Sequence, residues 1–569
     1  MLLIKKQKYS VLAFLFCINL ATIITFSFYT DKWYVYLFIL ALATLVNASS
    51  VLLVLGHKIK ADPKTELLTK YRVKPANYIY IVPCYNEGQE ELQASLDSLC
   101  QQHRLSGDRC SFLIICDGKV IGRDNLEATN IIIMKILEYT GQPIKYTYTA
   151  WDGENNSVEM YTGIYKGLPY LLIVKDRNYG KRDSLVLARK IVYNYNTQIV
   201  EDKMIPTFMM IYLGNYMNTI YDKVDYIIGI DADTVFDYHC SYELIRAMET
   251  DETIQGCVGL VDICPKMNPW NLFVLYQYAE YSFAQCLRRH TQSLITEKVS
   301  CLSGCNQILR VTNETCGEKI LERFNYLPAD DAHLFHHIRS YASEDRNHVC
   351  LMLSMYPYVK TKQTLLAIAY TDVPTSVAVF MSQRRRWSLG ANMNDLLLTY
   401  LPGINIFERL SAGINILTYA LAPFITVATG YFIYSIITNP TYLMLYLSLP
   451  IFVIFFYALI VPIVIRPLAF RTAMYYYLSY IIFTTLGSII NLFIYVNSVS
   501  NMDVIKWGKT RGLNRGITSS NITNSIVKAD IMDDLNELVY DDFLYEEPKP
   551  ICANNESIYA NDESYVCIV

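Results

Sequence analysis

Long apolar stretches stand near both ends of the chain, and shorter apolar runs alternate with polar residues between them. Two stretches come early, at Tyr9–Thr30 and Trp33–Gly56, and three come late. The late stretches are Leu410–Ile437, Tyr442–Ile465 and Ala473–Val496. Each is long enough for a helix that crosses a bilayer, which takes about 20 residues. The pattern therefore predicts a membrane protein with a large folded insert between its helices.

Charges near these stretches predict their orientation. Lysines lie just before the first stretch, and a second basic cluster lies between residues 58 and 74. Because positive charge favours the cytoplasmic side, the first two stretches are expected to form a helical hairpin with both ends in the cytoplasm. After the last stretch, basic residues at 506–515 favour the cytoplasm, whereas glycosylation sequons at Asn521 and Asn555 favour the outside. A re-entrant segment among the late stretches would reconcile the two.

The middle of the chain has the pattern of an α/β domain, with short β-branched and aromatic runs separated by helical segments. Three runs are candidates for buried strands: Tyr78–Cys84, Phe112–Cys116 and Tyr226–Ile230. The expected organisation is a transmembrane hairpin at 1–57, a cytoplasmic α/β domain at 75–370, interfacial helices at 371–408, transmembrane helices at 409–500, a short basic segment at 501–517 and an acidic, disordered tail at 518–569.

Residues with binding chemistry come at the ends of the first two strand candidates. Pro83, Tyr85 and Glu87 stand at the end of the first, and Asp117 follows the second. Ligands of open α/β sheets bind at the carboxyl ends of the strands, so these residues are expected where a nucleotide would lie. The alternatives are an ordinary strand-to-helix turn at Glu87 and an Asp-Gly turn at Asp117.

The third strand candidate ends in two carboxylates, Asp231 and Asp233. Carboxylates so close at the end of an apolar strand repel each other unless a cation binds them. Mg²⁺ and Mn²⁺ prefer oxygen ligands, and Mg²⁺ is often held by one or two carboxylates together with substrate phosphates. The pair therefore predicts a divalent-cation site, with a solvated acidic loop as the alternative.

Two basic motifs are candidates for binding a diphosphate. Lys181 and Arg182 precede a helical segment that Ser184 is expected to cap, and helix N-termini attract anions. Near the membrane, Arg386 can bind a diphosphate through two parallel hydrogen bonds, and Trp387 offers a flat face on which a sugar ring can stack. The alternatives are a solvated charge cluster and a basic patch on anionic lipid.

An acidic pair, Asp330 and Asp331, is the candidate for acid–base chemistry. A sugar transfer that inverts the anomeric carbon needs a base to take the proton of the acceptor hydroxyl, and a carboxylate can do this. The neighbouring carboxylate would raise the pKa of that base. A helix cap is the alternative.

Composition narrows the class of protein. Residues of the set AVILMFWYC make up 52% of the 569 residues, charged residues make up 18%, and the formal net charge is −4. A soluble domain has about a quarter of its residues charged, so a membrane part is favoured. The net charge gives no basic footprint for nucleic acid. The cysteines are scattered without zinc-ligand spacing and are expected to be reduced thiols.

Taken in chain order, these motifs resemble those of the chitin synthases, within the wider group of processive family 2 glycosyltransferases. The matching strings are CYNEG at 84–88, CDGKVIG at 116–122, GKRDS at 180–184, DADT at 231–234, CLSGC at 301–305, ADD at 329–331, QRRRW at 383–387 and WGKTR at 507–511. Hyaluronan synthases share the layout but typically have a looser Q-x-x-RW motif.

The resemblance implies a GT-A fold, a UDP-sugar donor, Mg²⁺ or Mn²⁺, and inverting transfer to the end of a growing polysaccharide. It implies that N-acetylglucosamine from UDP-GlcNAc is polymerised into β-1,4-linked chitin, and that the membrane helices carry the polymer across the lipid bilayer. The expected location is the plasma membrane, with the catalytic domain in the cytoplasm. The resemblance leaves open whether the chain works alone or as a homodimer.

By the same resemblance, each motif has a role. Asp331 is the catalytic base, and Asp231 and Asp233 hold the metal ion and the diphosphate. The residues expected to bind the nucleotide are Pro83, Tyr85, Glu87, Asp117, Lys181, Arg386, Trp507 and Arg511. The residues expected to bind the acceptor are Asp330, Gln383 and Trp387, and the expected gating loop is Cys301, Leu302, Ser303, Gly304 and Cys305.

The chain is expected to depart from the family pattern at three places, one of which is Ser388-Leu389-Gly390 after QRRRW, where the family often has Asn-Ser or Asn-Gly. Asp330-Asp331-Ala332 stands for the usual Glu-Asp-Arg, and Ser303 replaces the usual proline of the gating loop. These departures bear on the choice of sugar more than on the type of reaction. Two other functions therefore stay open: a hyaluronan synthase-like polymerase that also uses UDP-glucuronate, and a non-catalytic membrane protein.

Overall fold

A mixed sheet of ten strands forms the centre of the domain between the apolar helices. The computed structural model describes residues 2–29, 37–60, 72, 74–122, 125–264, 266–329, 331–438 and 442–504. The strands are β1 Asn77–Cys84, β2 Arg109–Cys116, β3 Ile144–Thr149, β4 Asn155–Tyr165, β5 Leu168–Lys175, β6 Tyr226–Gly229, β7 Thr234–Phe236, β8 Ile254–Ile263, β9 Gln307–Arg310 and β10 Lys360–Thr371. The three strands predicted from the sequence are present as β1, β2 and β6.

The sheet combines parallel and antiparallel neighbours in the order β3-β4-β5-β2-β1-β6-β9-β8-β10-β7. The run β5-β2-β1-β6 is parallel, and so is the pair β8 and β10, while the remaining neighbours are antiparallel. On β1, Tyr78 and Tyr80 pack into the core on one face, and Ile79 and Ile81 into the core on the other. Because helices cover both faces, the central strands are continuous apolar runs.

Helices surround the sheet and form the apolar part of the protein. They are α1 Leu2–Phe28, α2 Leu37–Lys60, α3 Gln89–Cys100, α4 Thr129–Ile136, α5 Gly180–Thr197, α6 Thr207–Asn218, α7 Cys240–Glu249, α8 Leu272–Phe283, α9 Asn313–Cys316, α10 Glu318–Phe324, α11 Leu334–Tyr341, α12 Glu344–Met355, α13 Val377–Tyr400, α14 Ile406–Ala420, α15 Ala422–Thr438, α16 Tyr442–Ile460 and α17 Phe470–Ser500. Three π-helical segments join them: π1 Ala284–Arg289, π2 Gln292–Thr296 and π3 Val461–Ile465.

Two helices in the described part of the chain are long and apolar enough to cross a membrane, at Leu3–Phe28 and Phe470–Ser500. A third span results if the bent pair α14 and α15 counts as one. Two shorter apolar helical segments are Thr44–Ile59, within α2, and Pro450–Ile465, which runs from α16 into π3. The five apolar stretches of the sequence are thus largely helical where they are described, with a break at Leu421.

The stretch Leu410–Ile437 differs from the sequence-based prediction of one continuous helix. It breaks at Leu421, where α14 ends and α15 begins at an angle of 81° to it. A break of this kind leaves backbone groups of both helices without their usual partners within the helix. In an apolar environment such groups need another partner, because an unpaired polar group is costly there.

Asn19 of α1 supplies that partner. Its side-chain amide donates a hydrogen bond to the carbonyl of Ala420 at 2.8 Å and accepts one from the amide of Phe424 at 3.1 Å. The side chain is buried, with 5% of its surface exposed. One asparagine therefore joins the end of α14 to the start of α15 and fixes both against α1.

The sequence also predicted interfacial helices at 371–408. The structure has one helix there, α13, followed by the start of α14. Two further expectations, the WGKTR segment with Trp507 and Arg511 and the acidic tail at 518–569, lie outside the described residues.

Replacing Asn19 with leucine is expected to destabilise the folded protein by about 1–3 kcal/mol, because two backbone groups at the break lose their partner. The measurement is the thermal unfolding midpoint of the purified protein in detergent. Thr22→Val is the matched control, since the Thr22 hydroxyl bonds only to carbonyls of its own helix, at Ile18 and Asn19. Equal midpoints for the two variants would contradict the role given to Asn19.

Candidate active site

The carboxyl ends of the parallel strands meet at one edge of the sheet. β5 ends at Lys175, β2 ends just before Asp117, and β6 ends two residues before Asp231. β9 runs antiparallel to β6 with Gln307 opposite Gly229, so the loop before β9 lies at the same edge. The topology therefore places Asp117, Asp231 and the predicted gating loop at one edge of the sheet.

Asp117 belongs to a buried ion-pair network. Nζ of the fully buried Lys175 lies 2.5 Å from Asp117 Oδ1 and 2.8 Å from Asp183 Oδ2. Asp117 also accepts a hydrogen bond from the amide of Tyr179 at 3.2 Å, and Asp183 accepts one from the hydroxyl of Tyr148 at 2.5 Å. Burial lowers the pKa of Lys175, but the two carboxylates outweigh burial and raise it. The network holds Asp117 in place at the end of β2.

Glu87 closes the turn after β1. Its Oε2 accepts hydrogen bonds from the backbone amides of Tyr85 at 2.6 Å and Asn86 at 3.1 Å. Its carbonyl accepts one from the side chain of Asn125 at 3.0 Å. Pro83 lies within β1 and is half-buried. Glu87 thus has a structural task in the turn, and a role in nucleotide binding stays a prediction.

The basic motif before the fifth helix begins differently from the sequence-based prediction. α5 starts at Gly180, whose φ of 87° a glycine adopts without strain. Lys181 and Arg182 consequently lie in its first turn, and Ser184 lies inside the helix and is buried. The prediction that Ser184 caps this helix is therefore wrong.

Lys181 lies among three carboxylates. Its Nζ is 2.6 Å from Asp231 Oδ1, 3.7 Å from Glu344 Oε1 and 4.0 Å from Asp345 Oδ2. Burial lowers the pKa of Lys181, but these carboxylates outweigh burial and hold it well above the usual value for lysine. Lys181 therefore carries a positive charge that joins the end of β6 to the start of α12.

Asp345 contacts the predicted gating loop. Its Oδ2 accepts a hydrogen bond from the amide of Gly304 at 3.0 Å. A Cβ at position 304 would lie 2.6 Å from that oxygen, so only glycine permits this approach. Burial raises the pKa of Asp345 to about 6; Lys181 opposes this shift, whereas Glu344 and Asp231 reinforce it. Asp345 consequently accepts a proton more readily than an exposed aspartate does.

Glu344 and Asp345 are the acidic pair that the sequence analysis missed. With Arg346 they form the family triplet Glu-Asp-Arg, which the chain carries at 344–346. The expected departure from that triplet is therefore wrong. The triplet at 344–346 is visible in the sequence, but the earlier pair Asp330-Asp331 was matched to the family motif instead.

Asp331 is not brought into this cluster. It is exposed and precedes α11, where the amide of Leu334 donates to Gln7 of α1 at 2.6 Å. The opposite end of α11 faces the basic motif, since Arg182 donates to the carbonyl of Arg339 at 3.2 Å. Asp330 lies outside the described residues.

Arg384 of the QRRRW motif is a structural cation. Its Nε lies 3.1 Å from Glu280 Oε1, and its Nη2 donates to Gln277 Oε1 at 3.1 Å, with only 3% of the residue exposed. The guanidinium carbon lies 4.3 Å from the ring centroid of Trp387, and the Tyr281 ring is 6.0 Å from the same ring. Binding to anionic lipid is thereby ruled out for Arg384. Trp387 is held on one side and keeps 43% of its surface exposed.

The other residues of the motif surround this centre. Gln383 accepts a hydrogen bond from Arg384. Burial lowers the pKa of Arg386, and the charge of Glu344 opposes this shift. Arg386 thus lies on the side of the motif that faces the carboxylate cluster, while Arg385 lies within reach of the charge of Asp503.

The loop Cys301–Cys305 lies between the cluster and π1. Arg289 of π1 donates to Cys301 Sγ at 3.7 Å, and Leu302 is fully buried. The carbonyl of Ser303 accepts a hydrogen bond from the amide of Asn306 at 3.0 Å. Burial raises the pKa of the Cys305 thiol. The loop is therefore fixed at both ends, and Gly304 in its middle touches Asp345.

A mixed α/β sheet with cations and carboxylates at its strand ends, attached to long apolar helices, defines the class as a membrane glycosyltransferase. A family model described as chitin synthase matches residues 51–534. The chain belongs to this family, whose members are UDP-GlcNAc glycosyltransferases that polymerise N-acetylglucosamine into chitin. The family and fold class expected from the sequence are confirmed.

Individual relatives agree with the family model. The chain is 33% identical over 535 residues to chitin synthase 8 of Gibberella zeae, covering 90% of this chain and 79% of that protein. It is 33% identical over 462 residues to chitin synthase 8 of Verticillium dahliae, covering 75% of this chain and 74% of that protein. Chitin synthases are membrane proteins, in agreement with the candidate spans.

Similarity to solved structures is weaker. A mannosyltransferase of Pyrobaculum calidifontis, solved in complex with GDP-Man and Mn²⁺, is 12% identical with a TM-score of 0.37, over 78% of this chain and 99% of that one.

Replacing Lys175 with methionine is expected to cost about 3–5 kcal/mol, because Asp117 and Asp183 would be left as buried charges without a counter-ion. The measurement is again the thermal unfolding midpoint in detergent. Lys119→Met is the matched control; its exposed ion pairs with Glu159 and Asp176 contribute at most about 1 kcal/mol. A Lys175 variant as stable as the Lys119 variant would contradict this account of the network.

Proposed function

We propose that this chain polymerises N-acetylglucosamine processively by an inverting transfer from UDP-GlcNAc, with Asp345 as the catalytic base. The observation that carries the proposal is the position of Asp345, which touches Gly304, lies 4.0 Å from Lys181 and opens the helix next to the QRRRW helix. The earlier candidate, Asp331, has none of these neighbours among the contacts of the described residues.

The transfer step needs a base at the acceptor hydroxyl. The Asp345 carboxylate accepts the proton of that hydroxyl while the hydroxyl oxygen forms a bond to the anomeric carbon of the donor. The bond between that carbon and the diphosphate oxygen breaks, and UDP leaves with the electron pair. The raised pKa of Asp345 favours this role, because a base with a pKa nearer to the working pH holds the transferred proton more readily.

The donor is proposed to lie along the sheet edge. Pro83, Tyr85, Glu87 and Asp117 face the uridine, and Lys181 and Arg386 supply positive charge to the diphosphate. Trp507 and Arg511, expected to close over the nucleotide, lie outside the described residues. In this arrangement Lys181 exchanges part of its pairing with Asp231 for the incoming phosphates.

Asp231 and Asp233 are proposed to hold Mg²⁺ or Mn²⁺ together with the diphosphate. In the described part of the chain, no three His, Cys, Asp or Glu side chains gather into a metal site. Two carboxylates at the end of β6 nevertheless fit Mg²⁺, which is often bound by one or two carboxylates plus substrate phosphates. The cation would stabilise the negative charge that develops on the leaving diphosphate.

The acceptor is proposed to rest on Trp387 and Gln383. The indole ring is fixed by Arg384 and Tyr281 and still exposes 43% of its surface, which suits a platform for a sugar ring. The loop Cys301–Cys305 would meet the polymer as it leaves the site. The growing chitin would then pass between the membrane helices across the plasma membrane, with the catalytic domain in the cytoplasm.

Replacing Asp345 with asparagine is expected to abolish polymer synthesis, by at least about 100-fold, because the amide cannot accept the proton. Asp331→Asn is the matched control and is expected to keep near wild-type activity. The measurement is incorporation of labelled N-acetylglucosamine into chitinase-sensitive product, with UDP binding as the test of folding. Loss of activity only in the Asp331 variant would return the base to Asp331.

Removal of divalent cations is expected to stop synthesis, and Mg²⁺ or Mn²⁺ is expected to restore it. The assay uses membranes that contain the full chain and UDP-GlcNAc, with EDTA and with the cation added back, followed by digestion with chitinase. Asp231→Asn should raise the cation concentration needed for half-maximal activity, because one charged ligand is lost. Polymer that forms only after UDP-glucuronate is added would favour the hyaluronan alternative.

A further inference from the structure

Asp395, two turns after Trp387 on α13, is a buried carboxylate at which four elements meet. It exposes 2% of its surface. Its Oδ1 accepts a hydrogen bond from Arg346 of α12, and its Oδ2 accepts one from Asn415 of α14 at 3.1 Å. Arg288 of π1 lies 3.6 Å from the same Oδ2. One side chain therefore connects the catalytic domain to the first half of the bent membrane pair.

Asn394, next to Asp395 on α13, makes a second connection between α13 and α12. Asn394 Oδ1 accepts a hydrogen bond from Asn347 Nδ2 at 2.9 Å. Asn347 Oδ1 in turn accepts one from Arg182 at 3.3 Å. Two adjacent residues of α13 thus bind two adjacent residues of α12, so neither helix can slide along the other without breaking both contacts.

The start of α12 is packed closely against α13 as well. Ser343 directly precedes Glu344 in the chain. A Cβ on Gly390 of α13 would lie 2.0 Å from Ser343 Oγ. The glycine permits an approach that no other residue would allow. Ser343 directly precedes the first turn of α12, and Asp345 and Arg346 lie in that turn. The polar contacts of Arg346 and the close approach of Gly390 therefore hold the same end of α12.

The pair of Arg346 and Asp395 depends on both partners. Arg346 exposes 9% of its surface, so loss of the carboxylate would leave a buried cation without its counter-ion. The first turn of α12 would then have to move, and that turn carries Asp345. Asp231, which follows β6, and Lys181 of α5 would stay in place, whereas Glu344 would move with Asp345.

We propose that Asp395 is a positioning residue for the sugar transfer: it fixes the first turn of α12 against α13 and thereby sets the place of Asp345 relative to Arg386 and Trp387. This inference rests on the proposed role of Asp345 as the base. In this proposal Asp395 contacts neither donor nor acceptor. It acts on Asp345 through Arg346, which lies next to Asp345 in α12.

Asp395→Asn tests the proposal in the purified full-length protein. The number of UDP-binding sites is measured by calorimetry, and kcat is expressed per site, so that unfolded protein does not count. We expect kcat to fall by about 10- to 100-fold, as displacement of a reacting group by about 1 Å does. KM for UDP-GlcNAc and the affinity for UDP should stay unchanged, because the strand ends that hold the donor are not altered.

Glu408→Gln is the matched control. Glu408 is also a largely buried carboxylate of α14, and it accepts hydrogen bonds from Gln292 at 2.6 Å and Thr296 at 2.7 Å, both on π2. The same acid-to-amide change is made there without touching α12, and kcat per site should stay close to that of the unmodified protein. Asp395→Asn with a kcat per site equal to that of this control would overturn the proposal.

A second pair of variants decides the question if Asp395→Asn does not fold. Asp395→Glu keeps the charge opposite Arg346 but lengthens the side chain, and its kcat per site should lie between those of the unmodified protein and Asp395→Asn. Its control is Glu408→Asp. Equal kcat per site for Asp395→Glu and Glu408→Asp would overturn the proposal.

Asp345→Asn, measured beside them, separates the two hypotheses. Loss of transfer with UDP binding intact supports the base, and the Asp395 variants then test positioning alone. Transfer that survives in Asp345→Asn would overturn the proposed base, and with it the positioning of that base, whatever the Asp395 variants show.

Discussion

Three carboxylates from two parts of the chain lie close together in this protein around one ammonium group, with 13% to 36% of each side chain exposed. Like charges in a poorly solvated place repel each other strongly, and each carboxylate loses hydration as well. Lys181 compensates for Asp231 most directly, at 2.6 Å, and for the acidic pair at the start of α12 at longer range. Burial, reinforced by the charges of Glu344 and Asp231, keeps the pKa of Asp345 raised against the opposing charge of Lys181. The site is therefore suited to receive cations and protons.

Some residues of this site follow strands of the sheet, and the others lie on helices that pack against it. Asp117 and Asp231 follow central parallel strands, and the buried pair of Lys175 and Asp183 fixes the former. Asp345 and Trp387 instead belong to helices whose mutual position depends on a few polar side chains. The residues proposed to bind the donor at the strand ends thus have the stiffness of a strand end, whereas the residues proposed as base and acceptor platform depend on contacts between helices.

Much of the fold and part of the site could be predicted from the sequence, because apolar runs and strand-end carboxylates are local signals. The strands β1, β2 and β6 and the acidic pair at Asp231 and Asp233 were found in this way. Asp331 was predicted as the base from the Asp-Asp pair, although the triplet Glu-Asp-Arg also stands at 344–346; tertiary packing places Asp345, and not Asp331, beside Lys181. The break at Leu421 has a local signal, because proline disrupts the interior of a helix and Pro423 follows two residues later. The partner that stabilises this break, Asn19, is 401 residues away from Ala420 in the chain.

That distance has a consequence for biosynthesis. Chains are made from the N-terminus, and α1 enters the membrane long before α14 and α15 exist. Until they arrive, the amide of Asn19 lacks the two backbone groups that it later binds. The bend in the late pair cannot be secured during insertion of the early helices, so assembly of the membrane part must finish after translation of the whole catalytic domain. A ribosome stalled within that domain would leave the first helix inserted but unable to complete its packing.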